Sequence, residues 1–358
     1  MRIEPRNTRS NAALLLAPLG AVAFTLAIST LLVLWAGAPV AATFGLLIKG
    51  AFGSVFAISE TLTRATPLIL TGLSAAVAFK ARLFNIGAEG QLYMGALAAV
   101  AVGGLHSGVN GGEGFGLPVW VLFPGMMLAA AMAGALLLLG PALLKARFNV
   151  DEVVTTLLLN FIVLLFVGAM LDGAMKDASA MGWPQSVGLQ PELELAKLIA
   201  QTRLHTGLLW GVTLSVLLWA WLKYTTFGFD VRALGANAKA AAFAGVPITR
   251  TVVLVAMLSG ALAGLAGAIE VAGRAGYVTL EMSPGYGYSG IVIAMLAALN
   301  PLGVLISAVF IAGVIVGADS MSRAMAVPTY LADVIVAISL ISVLVATMLT
   351  QYRIRWRG

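Results

Sequence analysis

The chain has no cysteine, only two histidines and little charge: 10% of its 358 residues are Asp, Glu, Lys or Arg. Without cysteine there are no disulfides and no thiolate metal sites, and nothing is learned about compartment. Soluble domains are about one-quarter charged, so this scarcity excludes an ordinary soluble fold. Catalytic signatures are missing too. No G-x-x-x-x-G-K-[ST] occurs and no glycine is followed directly by lysine, so the chain has no P-loop with which to bind ATP. There is no H-E-x-x-H, no metal-ligand cluster and no nucleophilic triad, and no cofactor is expected. The apolar stretches carry few charges of the kind that ion-coupled carriers use, so uphill transport by this chain would have to be powered by another subunit.

What is present is apolar. Hydrophobic residues make up 60% of the sequence and the mean hydropathy is +0.99. At ~20 residues per span the length accommodates about ten membrane crossings with their connections. The expected fold class is an all-α integral membrane protein forming a single transmembrane domain over residues 1–358. The net charge of +6 does not point to nucleic acid, because the basic residues sit at the ends of apolar runs, where orientation and lipid headgroups account for them. Arg2, Arg6 and Arg9 precede an apolar run ending near Ala36-Gly37-Ala38. That run exceeds a signal-peptide core of 7–15 residues and is taken as an uncleaved first span.

Spans are expected near 12–36, 65–82, 90–106, 118–144, 152–172, 206–223, 251–271, 286–299, 302–319 and 330–350. Residues 39–64 are apolar but carry Lys49, Glu60 and Arg64, which fits a surface-lying amphipathic helix or an extra half-span. With both termini cytoplasmic, inside segments hold fourteen of the 21 basic residues, among them Lys80, Arg82, Lys145, Arg147 and Lys223, and outside segments seven. The positive-inside rule supports this N-in, C-in arrangement. An outside loop at about 173–205 is long enough for a short helix. An inside loop at about 224–249 has an alanine-rich, helix-prone centre bracketed by Gly235 and Gly245. It predicts a short cytoplasmic helix on which a soluble partner docks, with Arg232, Leu234, Lys239 and Phe243 as contacts.

The segment Phe84-Asn85-Ile86-Gly87-Ala88-Glu89-Gly90-Gln91 is polar and glycine-punctuated between two apolar stretches. Such residues are costly at membrane depth unless they face protein or a water-filled path. Asn85, Glu89 and Gln91 are therefore candidates for holding or gating a polar solute at a broken helix; the alternative is structural, with Glu89 paired to Lys80 or Arg82. Asp151-Glu152 before Val153-Val154-Thr155-Thr156 suits a helix start, since carboxylates favour a helix N-terminus. Asn160, deeper in that helix, either bonds a neighbouring helix or lines the path. Gly285-Tyr286-Gly287-Tyr288-Ser289-Gly290 spells G-x-G-x-x-G, but no βαβ unit surrounds it. It is read as a turn whose Tyr286 and Tyr288 either stack on a ligand or anchor at the interface. Gly260/Gly264 and Gly313/Gly317 have the spacing of close helix–helix packing. Glycine-broken polar segments occur after small-residue helices in both halves, a loose echo of paired interrupted helices in transporters. His106 and His205 are expected to be solvated on outside loop edges, and Asp319 and Arg323 to face each other at a surface.

Phe84 to Gln91 resembles the F-N-I-G-A-E-G-Q signature of permease subunits of nucleoside and simple-sugar ABC importers, within the superfamily of ribose and branched-chain amino acid permeases. The run Asp151 to Asn160 is similar to that family's N-E-x-I-x-T-x-x-x-N segment, with Asp151 in place of the more usual Asn. Further likeness lies in Phe227-Gly228 through Gly245, Ser259 to Gly267 and Gly285 to Pro301, covering about 60–320. The resemblance implies a bacterial inner-membrane importer. Its other parts would be a second permease, an ATPase with two fused nucleotide-binding halves, and an extracytoplasmic substrate-binding lipoprotein, all in membrane lipid. The 224–249 loop would then be the coupling element, including Gly235 and Gly245, and the chain itself no enzyme. Nucleosides or related purine compounds are the implied solutes. A simple-sugar or branched-chain amino acid permease, a secondary transporter and a passive channel are the alternatives.

Overall fold

The apolar runs become helices, and the polar or glycine-rich stretches between them become breaks. In the structure, a computed structural model describing residues 2–5, 11–35, 37, 39–105, 116–325 and 329–355, the helices are α1 (Asn11–Trp35), α2 (Val40–Phe52), α3 (Val55–Lys80), α4 (Ala88–Val100), α5 (Val119–Phe148), α6 (Glu152–Asp172), α7 (Gly207–Tyr224), α8 (Thr226–Ala236), α9 (Ala238–Phe243), α10 (Ile248–Glu270), α11 (Tyr286–Leu296), α12 (Pro301–Met325) and α13 (Thr329–Gln351). Strands β1 (Arg2–Pro5) and β2 (Tyr352–Arg355) pair antiparallel. His106, Arg6, Arg9, Arg357, Ala36 and Ala38, which entered the sequence reading, lie outside the described residues.

Among the described residues, six helices are long and apolar enough to cross a membrane: α3, α5, α6, α7, α10 with its extension to Ala275, and α12. A seventh arises if α1 and α2, bent by 119° at their junction, count as one span. Of the ten expected spans, those at 90–106, 286–299 and 330–350 are not among these, and the bounds of others move: α5 runs on to Phe148 and α12 to Met325. The span placed at 65–82 begins at Val55, because Glu60 and Arg64 are carried half-buried within α3, and neither is left without a partner.

The chain divides into two compact units, residues 1–61 with 309–358 and residues 62–308. In the first, Val33, Ala318, Met321 and Ile335 form a buried cluster. Gly317 lets α12 approach α2 so closely that an added Cβ would stand 2.4 Å from the Leu47 carbonyl oxygen. Gly313 similarly faces the Phe52 ring.

In the second unit α4, α5 and α10 form the centre. Lipid tails are as apolar as Leu, so apolar burial does not drive one membrane helix against another, and close backbone approach at small residues takes its place. A Cβ on Gly264 would lie 2.2 Å from Ala130 O, one on Gly134 2.2 Å from Gly260 O, and one on Gly267 1.9 Å from Leu92 O. The close-packing expectation at Gly260/Gly264 thus matches the geometry, and it extends to two neighbouring helices. α3 is also central and largely buried, whereas α6 presents most of its surface outward.

Both α4 and α10 end in π-helical turns, Ala101–Leu105 and Val271–Ala275. The loop between α6 and α7 covers them. Gln190 N–H donates to Gly103 O at 3.0 Å and Leu195 N–H to Ala272 O at 2.8 Å. The loop's regular piece is a single 3₁₀ turn, Pro191–Leu193, with Leu193 fully buried.

His205 corrects an expectation. It is fully buried rather than solvated, because Gly273 has no side chain: a Cβ there would meet the imidazole at 2.4 Å. Its Nδ1 accepts the Gly207 N–H at 3.2 Å. Burial, with the nearby Arg274 charge second, holds its pKa at about 4 instead of 6.5.

Two predictions arise from this packing. Gly134→Ala should lower the thermal stability of the detergent-purified protein by ~1–3 kcal/mol through forced backbone separation. Gly140→Ala on the same helix, with open space around it, should be neutral or add up to ~1 kcal/mol through helix propensity. For His205, the depressed folded pKa means that stability is present above pH 6.5 and is lost as the pH falls towards about 4. The full loss is on the order of 3 kcal/mol. Thermal unfolding at several pH values should show this slope, and His205→Gln should flatten it.

Candidate functional site

Between α3 and α4 the chain makes a sharp return. Arg82 takes a left-handed conformation (φ 54°), and residues 83–87 run back as irregular backbone. The freed peptide groups find partners on one face of α6. Glu152, Thr156 and Asn160 are spaced four residues apart and therefore stack along that face. Phe84 N–H donates to Glu152 Oε1 at 3.1 Å, Ile86 N–H to Thr156 Oγ1 at 3.2 Å and Gly90 N–H to Asn160 Oδ1 at 2.8 Å. Asn160 Nδ2 returns a bond to Ile86 O at 2.9 Å. Lys145 pairs with Glu152 and donates to Arg82 O at 2.7 Å, which ties the end of α5 to the same turn. Asp151 caps α6 by accepting the Val153 N–H at 2.8 Å.

Asn85 and Gln91 face each other as two amides, joined by reciprocal bonds of 2.9 Å. Asn85 also donates to Ser259 Oγ at 3.1 Å, reaching α10. Both side chains are fully buried. Glu89 pairs with neither Lys80 nor Arg82. Its Oε2 accepts the Gly287 N–H at 2.6 Å, in the first turn of α11. The N-termini of α4 and α11 thus converge on one carboxylate. Gly287 makes this approach possible, since a Cβ there would be 2.2 Å from Glu89 N. Tyr286 is wholly buried, whereas Tyr288 is 38% exposed and its hydroxyl accepts from Asn160 Nδ2 at 3.2 Å. Of the six residues proposed for a path, Asn85, Glu89, Gln91 and Asn160 are buried in these polar contacts, Tyr286 is buried beside them, and Tyr288 is the member that reaches open space.

The 224–249 loop, expected to hold one helix, forms two. Asn237, in an extended conformation, ends α8 and caps α9 by accepting the Lys239 and Ala240 N–H groups at 3.0 and 3.2 Å. Gly235 is not a turn residue: it lies within α8, where a Cβ would stand 1.9 Å from Lys80 O. Gly245, with φ +86°, does make a turn. Leu234 is buried against the body of the chain at 5% exposure, and Arg232 donates to Leu222 O. Lys239 is exposed and Phe243 is 97% exposed, so these two form the outward face of α9.

Sequence reasoning missed one charged pair inside an apolar helix. Glu270, 1% exposed, pairs with Arg274 one turn on, and Arg274 Nη2 donates to Met282 O at 3.2 Å. The spacing of four between opposite charges at the end of the Gly260–Ala275 run was the available signal.

The geometry is that of a membrane permease subunit: interrupted helices locked by a buried polar network, and a small helix held out on one side. Residues 57–344 match the family described as the branched-chain amino acid transport system / permease component, and the chain belongs to that family. It is a multi-pass permease of the ABC transporter class, with ATP hydrolysis in a separate subunit. It is 34% identical, over 92% of both chains, to the guanosine ABC transporter permease protein NupP of Bacillus subtilis. It is 36% identical to the glucose ABC transporter permease protein TsgB13 of Haloferax volcanii over 87% of this chain and 82% of that one. The nucleoside ABC transporter permease protein NupB of Lactococcus lactis is 30% identical, over 77% of this chain and 76% of its own.

Asn160→Ala should leave the Gly90 N–H and the Ile86 carbonyl without their partner, costing ~1–3 kcal/mol per buried group. Tyr288→Phe loses one bond on a partly exposed side chain and should cost under ~1 kcal/mol. Thermal unfolding in detergent, with limited proteolysis across residues 81–88, distinguishes the two.

Proposed function

We propose that this chain is the permease subunit of a bacterial inner-membrane ABC importer for nucleosides or related purine compounds. The observation that carries the solute class is its likeness, over 92% of both chains, to a protein named as a guanosine permease. A sugar is the second reading, because a protein named as a glucose permease is 36% identical.

In this reading residues 1–358 act as one permease domain with ten spans and both termini cytoplasmic. The basic residues at the inner ends of α3, α5 and α7 and the antiparallel pairing of the two terminal strands support it. The permease works beside a second permease, with an ATPase of two fused halves below and a substrate-binding lipoprotein outside. α9 docks on the ATPase through Phe243 and Lys239. Leu234 and Gly235 fix α8 to the body of the chain, Arg232 closes the end of α7, and Gly245 turns the chain into α10. Alternating access moves the helices around a path beside Tyr288. Asn85, Glu89, Gln91, Asn160 and Tyr286 hold the interrupted α4 and α11 in register and thereby gate it.

Vesicles containing the reconstituted importer test this with labelled guanosine and glucose. ATP-dependent guanosine uptake that needs the ATPase subunit is expected, and uptake of glucose alone would establish the sugar reading. Phe243→Asp replaces a contact worth roughly 1.5–3 kcal/mol if buried, and should abolish uptake by uncoupling or releasing the ATPase while the permease stays folded. Glu89→Gln should reduce uptake more than assembly. Normal uptake with either variant would remove that residue from its role.

A further inference from the structure

A polar hollow of about 440 Å³ opens between the ends of α3 and α7, the side of α8, and the turn from α11 to α12. Its lining includes Lys80, Lys223, Arg232, Trp219, Asn300 and Pro301, and no carboxylate. Three cations thus converge with nothing acidic among them.

Each cation is positioned and keeps donors to spare. Lys80 Nζ donates to Leu299 O at 3.3 Å, a carbonyl turned that way by left-handed conformations at Ala298 and Leu299 (φ 49° and 58°). That uses one of three ammonium donors. Arg232 donates through Nη1 to Leu222 O, leaving most of its guanidinium fork. Lys223 Nζ stands 4.8 Å from the Trp219 ring centroid and 5.1 Å from that of Tyr224, contacts that hold the charge without using its hydrogens as ordinary donors.

The surroundings indicate depth. Trp219, Trp221 and Tyr224 cluster at the end of α7, as aromatic residues do at a membrane–water boundary. From there α7 exposes Leu217, Val216 and Leu209 along its length, an apolar track leading away from the hollow. A phosphate between the three cations with acyl chains along this track would satisfy both features. Basic pockets between helices on the cytoplasmic side of a membrane take anionic lipid headgroups for this reason.

We infer that the hollow bounded by Lys80, Lys223 and Arg232 binds the phosphate headgroup of an anionic phospholipid. Because Arg232 belongs to α8, which leads through Asn237 into α9, the lipid braces the base of the docking helix. The inference rests on the membrane-spanning reading and not on the solute, so it fails separately from the nucleoside assignment. Inorganic phosphate shares the headgroup charge but lacks the tails, and an acidic protein segment has no use for the apolar track.

Native mass spectrometry of the detergent-purified, assembled importer tests it, with dioleoyl phosphatidylglycerol, dioleoyl phosphatidylcholine and inorganic phosphate as probes. Phosphatidylglycerol should be retained over phosphatidylcholine. Lys80→Gln with Lys223→Gln should lower its retention roughly tenfold without changing that of phosphatidylcholine. The corresponding double substitution to arginine should restore it. Equal phosphatidylglycerol retention by the parent and the glutamine variant, or no preference between the lipids, overturns the inference. Displacement of the lipid by millimolar phosphate overturns it in favour of a free-phosphate site. Loss of the ATPase subunit from the variant with lipid retention unchanged overturns it in favour of an acidic protein surface. If the double variant fails to assemble, Lys223→Gln alone carries the comparison, since Lys223 is exposed and touches only rings.

Discussion

A peptide group set free where a helix breaks and buried away from water costs several kcal/mol if it is left unbonded. The break between α3 and α4 exists because α6 answers that demand. Glu152, Thr156 and Asn160 accept the amides of Phe84, Ile86 and Gly90 in order, one helical turn per step. With that ladder in place α4 can begin in the interior at Ala88, and its first-turn Glu89 can reach the start of α11. Two interrupted helices from distant parts of the chain are then held by a single carboxylate.

The same economy of space governs the centre of the larger unit. α4, α5 and α10 touch backbone to backbone at Gly134, Gly264 and Gly267, so their relative height is set to within a residue. Larger side chains would separate the helices and leave Ser259 out of reach of Asn85, from which it now accepts at 3.1 Å. Glycine packing and the polar network are therefore one arrangement: the first sets the distances at which the second can bond.

Much of this was legible in the residues. Asn85, Glu89 and Gln91 stood out because polar residues between apolar runs are expensive, and the Asp151–Asn160 run stood out by resemblance. Gly260 and Gly264 announced close packing by spacing alone. The 224–249 loop was legible as helix-prone and basic, but not as two helices, because the alanine-rich propensity is uniform and the break depends on the Asn237 cap. Leu234 and Phe243 look alike in sequence, yet one is buried and the other almost wholly exposed. Likewise His205 is polar by type and buried in fact, a consequence of a glycine 68 positions later whose proximity no local pattern encodes.

The sequence by itself determined a membrane protein, the places of most of its helices, the main interruption at residues 84–91 and its family, since these follow from hydropathy, turn chemistry and local motifs. Only the tertiary structure decided which groups complete each interruption. Glu89 bonds Gly287 and not the nearby Lys80 or Arg82, and Glu270 is carried at depth by Arg274. The reason is that local pattern reports what a residue costs in lipid, whereas the partner that offsets the cost lies wherever helix packing brings one within about 3 Å.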